Sequence, residues 1–140
     1  MSRQNRRRSD QRVPRCHFVS STHWDREWYE SFQHYRFRLV HVIDLLLDLM
    51  ERDERFRYFQ FDGQTVLIED YLEVRPENRD RLERLVRTGR IQVGPWYVMP
   101  DEFLPCGESL VRNLLRGHLI ARQYGGAMNV GFVNDMFGHN

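Results

Sequence analysis

Two positions apart near the start of the chain, His23 and Asp25 offer an imidazole nitrogen and a carboxylate oxygen. Those donor types suit zinc or a similar divalent ion. They lie in HWDREWY (23–29), where one His, three charged side chains and three aromatics fill seven positions. Side chains two apart on an extended segment point to the same side, so the pair is expected to face one way. An H-x-D triplet also arises by chance, and the bland reading is a surface His near an ordinary Asp. Near the other end, Asp135 sits in VNDMFGH (133–139), just after Phe132 and Val133. An acid at the mouth of a buried strand is costly unless it is paired or metal-bound. It reads either as a catalytic carboxylate or as the cap of a following helix.

These residues need elements to position them, and the chain supplies an alternation. CHFVSST (16–22), FRYFQFDG (56–63), RIQVGPW (90–96) and MNVGFV (128–133) read as strands. Between them, apolar residues recur at helical spacing over 34–50, 65–74, 77–89 and 107–126. Pro76 suits a first helical turn, and Gly89 suits a C-terminal cap. Strands separated by helices predict βαβ units and a parallel sheet.

The expected strand ends carry the polar residues: His23 and Asp25, then Asp62, then Asp101 and Glu102, then Asp135 and His139. In β/α folds the chemistry sits at that end, because the βα loops converge there. Asp62 alone is better read as a cap or turn, and Asp101-Glu102 stays open between the two readings. Six aromatics, Trp24, Trp28, Tyr29, Trp96, Tyr97 and Phe137, flank these positions rather than the helical stripes. They fit a core, and they also fit a sugar, whose C–H face packs on rings while its hydroxyls hydrogen-bond.

At 140 residues, with 41% hydrophobic and 29% charged, the chain is expected to be one soluble globular domain. A net charge of +1 gives no global field towards nucleic acid or membrane. No apolar run approaches the roughly 20 residues that span a bilayer. All 21 basic residues are Arg, and six fall within residues 1–15. That head has almost nothing to bury, so it is expected to be a disordered leader; RNA binding by it is a remote alternative, for lack of interleaved aromatics. Cys16 and Cys106 have no metal or redox spacing and read as free thiols in a reducing, cytoplasmic compartment.

Four blocks together, HWDREWY, DGQTVLIEDYLEVRPEN, GPWYVMPDEFLPCGESLVRNLLRG and GFVNDMFGH, resemble the N-terminal catalytic domain of glycoside hydrolase family 38, the retaining α-mannosidases. The flavour is similar to the bacterial mannosylglycerate hydrolase branch. The resemblance runs in order from about His17 to the C-terminus. It implies an α/β fold, the first four or so β/α units of a (β/α)7 barrel, over residues 16–140. It implies zinc as cofactor, with His23, Asp25 and Asp135 as ligands. It gives Asp135 a second role as the nucleophile, and it places Trp28 and Phe137 against the sugar of an α-mannoside substrate. Many members have Pro where this chain has Asn134.

The family's fourth zinc ligand and its general acid/base fall beyond residue 140. The chain is therefore expected to be a fragment without α-mannosidase activity of its own. Two other readings remain at this stage: a metal-dependent deacetylase on a related barrel, and a non-catalytic remnant.

Overall fold

Each helix presents one apolar stripe, and those stripes pack on three short parallel strands in the computed structural model, which describes residues 14–138. The strands are β1 (Ser20–Ser21), β2 (Phe59–Gln60) and β3 (Ile91–Gln92), in the spatial order β1-β2-β3. Ser20 pairs with Phe59, and Phe59 with Ile91, all in parallel register. The helices are α1 (Phe32–Arg52), α2 (Val66–Leu72), α3 (Arg79–Arg87) and α4 (Gly107–Tyr124), with a 3-10 turn at Pro76–Asn78. All four expected helices are present, and the parallel α/β arrangement is observed. Most of the Arg-rich head, and His139, lie outside the described residues.

The core follows from spacing. Leu39, Ile43, Leu47 and Met50 recur on one side of α1 and are almost fully buried. They meet Leu67, Ile68 and Tyr71 from α2, Leu82 and Leu85 from α3, Phe61, Ile91 and Val93 from the sheet, and Ile120 and Tyr124 from α4. Burying one such side chain contributes roughly 1.5–3 kcal/mol. Polar residues brace the outer layer. The Tyr71 hydroxyl donates to Asp44 Oδ1 at 2.6 Å and accepts from Asn78 Nδ2 at 2.6 Å. Arg81 reaches Asp48 and Glu51 across α1. Helix α3 ends as expected at Gly89, whose φ of +70° lets the Gly89 and Arg90 N–H groups bond back to the Val86 and Leu85 carbonyls.

The strands are shorter than expected, and the fourth is absent among the described residues. Residues 128–133 form no ladder; one backbone–backbone bond, from Met128 N–H to the Val93 carbonyl at 2.8 Å, joins them to the β3 side. One cause is local: the segment follows Gly125-Gly126 and contains Gly131, and glycine weakens strands. Residues 128–135 instead run as a loop over the ends of β2 and β3. Cys16, expected within a strand, precedes β1; it and Cys106 are exposed free thiols.

Candidate functional site

β2 delivers the turn on which the site is built. Phe61 anchors its end in the core, and the next residues are Asp62, Gly63 and Gln64. Asp62 takes the left-handed conformation, with φ of +45°, one of two non-glycine residues with positive φ among those described. The other is Asp135, at +51°. Gly63, at +65°, lies directly beneath the Phe132 ring: a Cβ there would sit 2.5 Å from Phe132 Cδ1. The Trp96 indole N–H donates to the Phe132 carbonyl at 2.9 Å. Those two contacts seat the 128–135 loop on the sheet end.

That seating brings the first and last candidate residues together. His23 Nε2 lies 3.4 Å from Asp135 Oδ2, and His23 Nδ1 lies 3.8 Å from Asp62 Oδ2. The Asn134 amide reaches both, with Nδ2 3.3 Å from His23 Nδ1 and 3.3 Å from Asp62 Oδ1. Proline at position 134 could make neither contact. Asp62 is fully buried, and it also accepts the Trp24 N–H and a Gln64 Nε2 bond at 3.2 Å. Burial pushes its carboxyl above the usual range; the Trp24, Asn134, His23 and Gln64 neighbours pull it partly back.

Asp25 lines a cavity of about 270 Å³ with Trp24, Arg26, Glu27, Gln64, Val98 and Met99. Regular pairing stops at Thr22, whose N–H is bonded to the Gln60 carbonyl, so beyond it strand alternation no longer fixes the directions of His23 and Asp25. Among the described residues no three His, Cys, Asp or Glu side chains converge as metal ligands. The His23–Asp135 pair by itself suits an ion: two ligands about 2.05 Å from a tetrahedral zinc are roughly 3.3 Å apart.

The aromatics divide. Trp96 is buried, and Trp24 and Tyr97 pack against the core. Trp28, Tyr29 and Phe137 are more than half exposed, and the Trp28 and Tyr29 rings sit 5.0 Å apart. The loop that carries Trp28 is tied down by Arg26, whose guanidinium forms a two-pronged pair with buried Asp70 at 2.7 and 2.9 Å. The same guanidinium lies 4.3 Å over the Phe32 ring. Asp101 serves a local turn, with its carboxylate 3.2 Å from the Phe103 N–H. Asp62 does more than the cap or turn expected of it, and Gln64 carried no sequence signal beyond a polar residue opening an apolar helix. For Asp62 a signal existed: an Asp-Gly turn at a strand end, in line with the other polar strand ends.

Comparison with known proteins places this chain among relatives. Residues 14–140 match the model of the glycosyl hydrolases family 38 N-terminal domain. A curated protein of Halalkalibacterium halodurans, provisionally named a mannosylglycerate hydrolase, is 42% identical over 124 residues. That alignment covers 88% of this chain and 14% of the relative. The crystal structure of an α-mannosidase from Enterococcus faecalis superposes with a TM-score of 0.82 at 42% identity, over 84% of this chain and 13% of that one. A second Enterococcus faecalis structure, of a family 38 glycosyl hydrolase, gives 0.74 at 40% identity, over 81% and 13%. The chain thus spans about one seventh of the length of these relatives.

Proposed function

This chain belongs to family 38 of the glycosyl hydrolases, and we propose that it supplies the nucleophile and part of the metal site of a retaining α-mannosidase whose site is completed by residues outside it. The observation that carries this reading is the meeting of His23 and Asp135 at 3.4 Å, from opposite ends of the chain. In the completed enzyme the three parallel strands would be the first strands of a (β/α)7 barrel.

His23, Asp25 and Asp135 would hold zinc, which supplies Lewis-acid binding of sugar hydroxyls. The rest is done by protein groups. Asp135, with 63% of its side chain exposed, is open to an incoming sugar. One of its carboxylate oxygens attacks the anomeric carbon as the bond to the leaving oxygen breaks. An acid from outside this chain protonates that oxygen. Water, deprotonated by the same group, then attacks the anomeric carbon of the ester and restores the carboxylate with net retention. Trp28 and Phe137 offer exposed ring faces for the sugar's C–H groups. A mannosyl substrate is supported by the names of the relatives, and a cytoplasmic setting by two exposed free thiols.

The test is a chimera in which residues 14–138 replace the matching segment of the Enterococcus faecalis α-mannosidase. It should hydrolyse an aryl α-mannoside, and Asp135→Ala should lower that rate by about a thousandfold or more. A fluorinated mannosyl fluoride that slows ester breakdown should label the peptide holding Asp135. A folded, zinc-loaded chimera that turns over normally with Asp135→Ala would refute the assignment.

A further inference from the structure

Trp24 stands between His23 and Asp25, and both of its backbone polar groups are held by side chains of one turn. Its N–H, in the peptide shared with His23, donates to Asp62 Oδ2. Its carbonyl, in the peptide shared with Asp25, accepts from Gln64 Nε2 at 3.0 Å. Gln64 also donates to Asp62 at 3.2 Å, which ties the two grips together. Its other end, Oε1, accepts the Met99 N–H at 3.0 Å and links the loop after β3. Both side chains are shielded from solvent, Asp62 completely and Gln64 all but 1%.

We infer that Asp62 and Gln64 are positioning residues, which clamp both peptide groups of Trp24 and so hold the His23 imidazole towards Asp135. Resting on the zinc reading above, the inference adds a buried carboxylate that fixes the backbone beside the histidine. Asp62 Oδ2 is 3.8 Å from His23 Nδ1, beyond hydrogen-bond reach, so its hold on the ring runs through the Trp24 peptide. A turn with no such duty would not require a fully buried carboxylate, whose desolvation is costly. Asn134 closes the arrangement by touching Asp62 and His23 together.

The experiment uses the isotope-labelled 140-residue chain, with zinc affinity read by competition against a chromogenic chelator. In the unaltered chain the Trp24 amide should resonate downfield and exchange slowly with solvent. Asp62→Ala should move the Trp24 amide and the His23 ring nitrogens and weaken zinc about tenfold or more. Asp62→Asn, which keeps an acceptor for Trp24, should recover part of that loss. Gln64→Glu keeps the acceptor for Met99 but loses the donor to Trp24, and should also weaken zinc. Ile43→Val, a core change that lowers stability without touching the turn, should leave zinc affinity unchanged. A Trp24 amide that exchanges like an open loop overturns the clamp, whether or not any variant folds. So does zinc binding that survives Asp62→Ala and Gln64→Glu intact. If the unaltered chain binds no zinc, as a site completed outside it allows, the metal reading is tested in the chimera instead. The clamp is then judged on the Trp24 and His23 resonances in Asp62→Ala: movement supports it, and no movement overturns it.

Discussion

His23 and Asp135 face each other across 3.4 Å, although they come from opposite ends of the chain. Two donors that serve one ion should be strongly non-additive. His23→Ala and Asp135→Ala are each expected to weaken zinc binding by tenfold or more, and the double variant to add little further. Chelator competition on the four proteins measures this. Equal, additive losses would indicate two independent sites.

Gly63 should be intolerant, for two separable reasons. Its φ of +65° costs an L-residue roughly 1–2 kcal/mol, and a Cβ would collide with the Phe132 ring. Gly89 shares the backbone conformation, at +70°, with open space around it. Urea denaturation should therefore show Gly89→Ala losing about 1–2 kcal/mol. Gly63→Ala should lose a further 1–3 kcal/mol through the forced shift of Phe132. Equal losses would mean that the ring moves away freely.

The two faces of α1 give a second contrast. Leu47 is fully buried, and Leu45 is 53% exposed. Leu47→Ala should cost about 2–5 kcal/mol. Leu45→Ala should stay within about 0.5 kcal/mol. Thermal or chemical unfolding of the chain distinguishes them.

Tyr71→Phe removes one hydroxyl from a network and leaves Asp44 and Asn78 each short of a partner. Burial, then the hydrogen bond to Asp44, push the phenol well above its ordinary value, so it remains a donor at every practical pH. The change should cost roughly 1–3 kcal/mol with no loss of packing volume. A neutral result would show that water replaces the hydroxyl.

Glu51 should make stability pH-dependent. Its hydrogen bonds to Arg81 hold the carboxyl below its usual range. A depressed carboxyl contributes stability above its unfolded pKa, about 4.3, and loses it as pH falls through the lower folded value. Stability should thus decline below about pH 4, and Arg81→Gln should flatten part of that decline. Because the pair is substantially exposed, the effect is modest and shrinks in salt. Urea midpoints at pH 6 and pH 3, at low and high salt, decide it.

The helices were legible because their information is local. The apolar stripe of α1, Pro76 ahead of α3 and Gly89 after it each act within a few residues. The strands were less so, because a parallel strand is made by its neighbours: 128–133 reads apolar but lies beside only one of them. The site divides along the same line. Asp135 and His23 could be picked out by type and position. The grip of Asp62 and Gln64 on Trp24 could not, since a polar side chain beside a turn does not announce which distant backbone it will hold. The directions of His23 and Asp25 were not legible either, because strand alternation is imposed only up to Thr22, the last paired residue.

Because β1 pairs with β2, and β2 with β3, spatial order repeats chain order. No strand has to wait for a later one to be inserted between it and its partner. Each pairing closes over some thirty to forty residues, a modest loop entropy. A chain emerging from the ribosome could therefore lay down this sheet strand by strand, with each new β/α unit finding its template already in place. The site would come last: Asp135 reaches His23 only after the turn of β2 and the indole of Trp96 have been set to receive its loop.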